Sequence, residues 1–125
     1  MKNTIVKENF NNIYEIRDIH TLDLMFVSDL LVTDYSSVIF EYALLRKPII
    51  FFCYDLELYD RGFYLPYDES LPGKIAESQE KLIEYLIADN RNNLGETYDM
   101  FVEKYMGACD GKSTERIVAL IEAYL

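Results

Sequence analysis

The stretch that decides the fold is residues 32–47, VTDYSSVIFEYALLRK. It overlaps one compact apolar run, residues 30–33 (LLVT), and precedes a second, residues 48–52 (PIIFF). Apolar runs without alternation are typical of parallel strands that are covered on both faces. Between them, residues 36–46 repeat apolar side chains at three- and four-residue steps, which predicts a helix with one buried stripe. The order strand, helix, strand predicts a βαβ unit, so we expect the two strands to be adjacent and parallel.

The segments on either side of this unit predict short elements upstream and a long loop downstream. Residues 12–16 (NIYEI) alternate in character and predict a short strand, and residues 21–27 (TLDLMFV) predict a helix with Thr21 as its N-cap. Residues 54–73 are rich in Tyr, Asp, Pro and Gly and predict a loop with one short strand at residues 62–67. Long loops in compact domains are usually functional or packed by their own aromatic residues, and we expect both here.

The C-terminal part of the chain predicts helices. Apolar side chains recur at helical spacing in three segments, residues 78–88, 96–106 and 113–125. We expect these helices to cover the core, and they are assigned no chemistry. The chain is therefore predicted to form one α/β domain, with a parallel sheet and a helical cover at residues 78–125.

The charge balance restricts the partners of the chain. Its net charge is −10, from 22 acidic and 12 basic residues. A nucleic-acid-binding protein needs a basic face to displace counterions from phosphates, so no nucleic acid is expected as a partner. The same balance argues against electrostatic docking of this segment on an anionic membrane. No stretch approaches the ~20 apolar residues of a spanning helix.

The cysteines and the single histidine predict neither disulfides nor a metal site. Cys53 ends an apolar run, where a buried reduced thiol is the expected state, and Cys109 lies far from it in sequence. With no signal-peptide pattern at residues 1–10, we expect a cytoplasmic protein. His20 and two separated cysteines do not supply a metal ligand set, so no metal and no cofactor are expected.

The candidate site lies where the first predicted strand meets the helix. Ligands of open parallel sheets bind beyond the carboxyl ends of strands, and a helix N-terminus there offers unpaired N–H groups to an anion. Ser37 and Glu41 are four residues apart, so they share one helix face, ~6 Å apart along the axis. Two interpretations stay open: the serines cap the helix and Glu41 is an exposed charge, or Ser36 and Ser37 hold a diphosphate and Glu41 its ribose.

The order VSD, TDYSS, KPI, YD, RGFY and PG within residues 23–73 resembles the C-terminal half of the CDP-glycerol glycerophosphotransferases. These enzymes prime and polymerise poly(glycerol phosphate) or ribitol phosphate in teichoic-acid and capsule assembly. The resemblance implies that residues 1–125 are a single partial domain, the C-terminal, donor-nucleotide lobe of a glycosyltransferase-B-like fold, with a Rossmann-like fragment of a parallel sheet. The helix at residues 36–46 is also similar to one in UDP-sugar 2-epimerases, where an SGG turn holds diphosphate and a glutamate holds ribose.

The resemblance assigns roles to individual residues. Ser36 and Ser37 are expected to bind the diphosphate of CDP-glycerol or a related CDP-alditol, and Glu41 its ribose, although an Asp stands there in some relatives. Arg61 is expected to contact phosphate or to order the loop, with a plain surface role left open. Asp34 and Tyr35 form the turn, which Asp34 is expected to fix through backbone N–H groups. No catalytic residue is expected in this chain.

The chain also departs from the family pattern. The join between Tyr54-Asp55 and RGFY is a few residues short, and the usual PGP is Pro72-Gly73-Lys74. The histidine motifs of the family, one of them implied to be the general base, belong to a part that precedes this stretch, and His20 matches neither. We therefore expect this chain alone to be inactive, and the polymer acceptor to bind through the missing lobe.

Two alternatives to the transferase remain. One is a nucleotide-sugar glycosyltransferase or epimerase that uses the same kind of lobe. The other is a non-catalytic truncated remnant that folds or self-associates through an exposed sheet edge. Full-length members of the family that the chain resembles are implied to be peripheral on the cytoplasmic face of the membrane.

Overall fold

A three-stranded parallel sheet forms the centre of the computed structural model, which describes residues 13–58, 65–88 and 94–125. The strands are, in order across the sheet, β1 (Leu31–Thr33), β2 (Ile49–Phe52) and β3 (Lys74–Ala76). Strands β1 and β2 pair in parallel, with Val32 opposite Ile50. The predicted adjacent, parallel pairing of the two apolar runs is therefore confirmed.

The described ranges also contain five helices. They are α1 (Thr21–Val27), α2 (Val38–Leu44), α3 (Gln79–Ile87), α4 (Gly95–Met106) and α5 (Ser113–Glu122). Helix α2 connects β1 with β2, α4 packs against α2, and α3 contacts β3 and β2. The architecture is the predicted α/β one, a fragment of a parallel sheet with C-terminal helices.

The core lies where α2, β2 and α4 meet. Its largest fully buried side chains are those of Ile39, Tyr42, Phe51, Cys53 and Tyr98. The hydroxyl of Tyr98 donates to the carbonyl oxygen of Lys47 at 2.8 Å and lies 3.3 Å from that of Ala43, so α4 is bonded to the C-terminal end of α2. A buried phenol thus finds its polar partner at a helix end, where carbonyl groups lack partners within the helix.

Several predicted boundaries are wrong in detail. Helix α2 is shorter than residues 36–46, because Arg46 has a φ of 56°, in the left-handed region that ends a helix. The N-cap of α1 is His20, whose Nδ1 accepts from the N–H of Leu22 at 3.3 Å, and not Thr21. Residues 13–16 form no strand, and Asn12 lies outside the described residues.

The loop at residues 54–73 also differs from its prediction. Residues 65–67 are not a strand, and residues 62–64 lie outside the described ranges. The strand β3 was not predicted, because three residues are too few to show a period. A short 3₁₀ turn, Leu56–Leu58, follows β2.

The helices differ in how much they bury. Helix α4 buries Tyr98 and Phe101, whereas α3 and α5 contain no buried residue. The apolar side chains of α5 are between 47% and 61% exposed, and Tyr124 just after it is 85% exposed. The core cover expected over residues 78–125 is thus provided mainly by α4. Across the described ranges, the helices are too short or too polar to cross a bilayer.

Lys47 joins the βαβ unit to the helix that precedes it. Its Nζ donates to the carbonyl oxygens of Phe26 and Ser28 at 2.7 Å each and of Met25 at 3.2 Å. These carbonyls lie at the C-terminal end of α1, where a cation is favoured by the helix dipole. Lys47 therefore connects the C-terminal end of α1 to the start of β2 through hydrogen bonds.

We expect the substitution Lys47→Met to lower the free energy of unfolding by about 1–3 kcal/mol, because the three carbonyls lose a charged donor. Thermal or urea unfolding followed by circular dichroism measures the change. Lys81→Met is the matched control, since the Lys81 side chain forms an exposed pair with Glu84 at 2.9 Å and lies over the ring of Tyr85 at 5.6 Å, without bonding a helix end. Equal midpoints for the two variants would contradict this role of Lys47.

Candidate functional site

The predicted site residues lie just beyond the carboxyl end of β1. Asp34 and Tyr35 form the turn that leaves the strand, Ser36 and Ser37 follow, and α2 begins at Val38. Asp34, Ser36 and Ser37 are exposed, and Tyr35 is half-buried. The structure thus brings the two serines to a helix start at the edge of a parallel sheet, the location where such sheets bind ligands.

The two serines differ in their local roles. Ser37 occupies the N-cap position with helical backbone angles, φ −66° and ψ −9°, and its side chain makes no capping hydrogen bond. The hydroxyl of Ser36 lies 3.4 Å from the N–H of Val38, a long contact in which it accepts. Capping therefore accounts for Ser36 only weakly and does not account for the hydroxyl of Ser37.

Glu41 lies in the first turn of α2 and is exposed. The other face of the helix is buried through Ile39, Tyr42 and Ala43. Four residues separate Glu41 from Ser37, which places its carboxylate about one turn, ~6 Å, further along the helix. A ligand with an anionic group at the serines and hydroxyls next to that group can reach both positions.

The turn before the serines is bonded to the long loop. The hydroxyl of Tyr35 donates to Oδ1 of Asp55 at 2.9 Å, and the hydroxyl of Tyr67 donates to the carbonyl oxygen of Asp34 at 3.3 Å. The rings of Tyr35 and Tyr67 meet edge to face, with centroids 5.0 Å apart. Sequence reasoning missed Asp55 and Tyr67, because these contacts join residues 20 and 33 positions apart.

Burial keeps two nearby groups protonated. It raises the pKa of Tyr35 well above its ordinary value, and the hydrogen bond to Asp55 raises that pKa further. Burial also raises the pKa of the Cys53 thiol to about 11, so this cysteine is neither a nucleophile nor a base near neutral pH. Both cysteines are free thiols in the structure, Cys53 buried and Cys109 exposed.

The candidate site, as described, includes neither Arg61 nor the cavity near Pro48. Arg61 lies outside the described residues, so no position is assigned to it. A cavity of about 560 Å³ lies at the opposite, amino ends of the strands, near Leu30, Pro48 and Lys74. Among the residues with described positions, no three His, Cys, Asp or Glu side chains are grouped as a metal site requires.

A parallel sheet with a helix starting beyond the carboxyl end of its edge strand places this chain in the Rossmann-like class of α/β folds. The family model described as CDP-Glycerol:Poly(glycerophosphate) glycerophosphotransferase matches residues 1–123. The chain therefore belongs to the CDP-glycerol:poly(glycerophosphate) glycerophosphotransferase family.

Individual relatives agree with this assignment. The teichoic acid ribitol-phosphate polymerase TarL of Staphylococcus aureus is 42% identical over 114 residues, which cover 90% of this chain and 20% of that protein. The teichoic acid glycerol-phosphate transferase of the same organism is 39% identical over 124 residues, 94% of this chain and 32% of that protein. The chain thus spans between a fifth and a third of these relatives.

A solved structure shows the same fold. A variant of the wall teichoic acid polymerase TagF, determined with CDPG, superposes with a TM-score of 0.62 at 38% sequence identity. The match covers 81% of this chain and 26% of that chain. This likeness agrees with the predicted partial lobe of a glycosyltransferase-B-like fold.

Proposed function

We propose that this chain is the donor-binding part of a glycerophosphotransferase that builds a teichoic-acid-like or capsular polymer. The observation on which this rests is the position of Ser36 and Ser37, beyond the carboxyl end of β1 and at the start of α2. Backbone N–H groups and hydroxyls at such a place favour a phosphate, even on a chain with a net charge of −10. The family match favours a transferase over the nucleotide-sugar epimerase alternative.

The proposed donor is CDP-glycerol or a related CDP-alditol. Its diphosphate would bind at Ser36 and Ser37, and its ribose hydroxyls would donate to the carboxylate of Glu41, about one helix turn away. Arg61 is proposed as a further phosphate contact. The CDPG in the TagF structure supports a cytidine diphosphate donor, since that chain is 38% identical to this one.

The proposed reaction is a phosphoryl transfer at the β-phosphorus of the donor. A hydroxyl of the polymer acceptor attacks this phosphorus, the bond to the oxygen of CMP breaks, and CMP leaves with the electron pair. The N–H groups at the start of α2 would stabilise the charge that develops on the leaving phosphate. The acceptor is proposed to bind outside this chain. The base that removes its proton is also proposed to lie outside this chain.

We expect Glu41→Ala to weaken CDP binding about tenfold while leaving inorganic pyrophosphate binding unchanged, because only CDP has a ribose. Wild-type affinity for CDP should be weak, about millimolar, since only one of the two lobes contacts the ligand. Titration of labelled protein followed by NMR measures both ligands, and the amides of residues 35–39 should shift first.

Glu96→Ala is the matched control for this titration, because Glu96 is also an exposed glutamate in the first turn of a helix, α4. It should leave both affinities unchanged. An equal loss of both ligands in Glu41→Ala would mean that Glu41 does not bind ribose. Shifts centred on another segment would remove the proposed site.

We also propose that the isolated chain self-associates. Strands β1 and β3 are the outer strands of the described sheet, and Val32 in β1 is 42% exposed. Unpaired strand edges and exposed apolar side chains favour association with another chain. A monomeric sedimentation coefficient at all accessible concentrations would contradict this proposal.

The proposed location is the cytoplasm, with longer relatives on the cytoplasmic face of the membrane.

A further inference from the structure

The turn that presents the two serines is attached to the long loop at two places. Asp55, shortly after β2, accepts a hydrogen bond from the hydroxyl of Tyr35 at 2.9 Å. Tyr67, near the far end of the loop, donates to the carbonyl oxygen of Asp34 at 3.3 Å. Two consecutive turn residues are therefore held by two residues from one loop.

The aromatic rings give this attachment a rigid base. The ring of Tyr67 meets that of Tyr35 edge to face at 5.0 Å and that of Phe51 edge to face at 5.9 Å. Phe51 is fully buried in the central strand β2. Tyr67 thus lies between the core and the turn, and aromatic pairs of this geometry stabilise beyond their buried area.

The phenol of Tyr35 remains a hydrogen-bond donor over the physiological pH range. The pKa of Tyr35 lies well above its ordinary value, because of burial first and the bond to Asp55 second. The phenol therefore stays protonated and donates to a carboxylate, an arrangement stronger than a neutral hydrogen bond.

We propose that Tyr35, Asp55 and Tyr67 form a positioning clamp that fixes the turn so that the N–H groups after it face the diphosphate. This inference rests on the proposed function, since it assigns the clamp to the same anion site. The clamp residues touch the turn and not the ribose position at Glu41. Loss of the clamp should therefore weaken CDP and pyrophosphate by the same factor, unlike Glu41→Ala.

The test removes single hydroxyl groups and keeps the rings. In the 125-residue chain, Tyr35→Phe is expected to weaken both ligands about fivefold, and Tyr67→Phe about threefold, from the loss of hydroxyl hydrogen bonds. Asp55→Ala should cost no more than Tyr35→Phe, because the hydroxyl of Tyr35 also interacts with Cys53. Adding Asp55→Ala to Tyr35→Phe should change little, because Asp55 has then already lost its donor. Asp55→Asn keeps a side-chain oxygen as acceptor and should restore most of the affinity.

Tyr124→Phe is the control, because it removes a hydroxyl from a residue that is 85% exposed beyond α5. NMR titration with CDP and with pyrophosphate gives all affinities, and amide shifts of residues 34–38 report the turn. Wild-type affinities in Tyr35→Phe and Tyr67→Phe, or a loss that Asp55→Asn fails to restore, would overturn the clamp alone. A wild-type chain that binds neither ligand would overturn the proposed function and the clamp together.

Discussion

Replacing Gly73 with alanine is expected to destabilise the sheet strongly. A Cβ atom at this position would lie 2.2 Å from the carbonyl oxygen of Ile49 and 2.9 Å from its carbonyl carbon. Ile49 begins the central strand β2, so the obstacle is backbone and cannot move aside as a side chain can. We expect a cost of about 3 kcal/mol or more, a large part of the ~5–15 kcal/mol that stabilises an ordinary domain.

Circular dichroism during thermal unfolding measures this effect. Gly111→Ala is the matched control, because Gly111 has a φ of +79° with nothing within 4 Å of an added Cβ. Gly111→Ala should lower the free energy of unfolding through backbone strain alone, by about 1–2 kcal/mol. Gly73→Ala should therefore unfold at a clearly lower temperature. A midpoint at or above that of Gly111→Ala would show that β2 and β3 separate easily.

The strands and helices with a clear period could be predicted from the sequence. The apolar runs of β1 and β2 and the stripe of α2 are local patterns that one short segment shows. The expected burial holds for β2, whereas Val32 in β1 is 42% exposed. Strand β3 shows no such pattern, because its residues, Lys74–Ala76, include one exposed and one fully buried side chain. The position of β3 in the sheet depends on its pairing with β2, and a local sequence pattern does not reveal such pairing.

The candidate site could be proposed from the sequence, but the contacts around its turn could not. Ser36, Ser37 and Glu41 are close in the chain, so helix geometry relates them directly. Asp55 and Tyr67 reach the same turn only through the folded loop. Of these two residues, Asp55 belongs to a motif of the resemblance, YD, and it accepts a hydrogen bond from the Tyr35 of TDYSS.

The remaining motifs also acquire physical meaning in the structure. The Lys of KPI binds the carbonyls that end α1, and the Gly of PG lies against the backbone of Ile49. These contacts join α1 and the amino ends of β2 and β3. Part of the family pattern therefore describes contacts that hold the sheet and α1 together.

Turnover of CDP-glycerol by this 125-residue chain alone should be absent. Near the proposed phosphate site, the phenol of Tyr35 and the thiol of Cys53 are protonated at neutral pH, because the pKa of Tyr35 is well above its ordinary value and that of Cys53 is about 11. The histidine motifs of the family have no match in this chain. The single histidine, His20, caps α1 through Nδ1. An acceptor hydroxyl would therefore keep its proton, and the loss of a general base alone typically costs 10²–10⁴-fold in rate.

The measurement is CMP release from CDP-glycerol in the presence of a polymer acceptor. The double variant Ser36→Ala/Ser37→Ala sets the background, and the teichoic acid glycerol-phosphate transferase of Staphylococcus aureus, 39% identical to this chain, serves as the positive control. The wild-type chain and the double variant should give the same rate, although only the wild type should bind CDP. CMP release by the wild-type chain above that background would mean that these residues contain a base as well as a donor site, and that the division of labour proposed for this lobe is wrong.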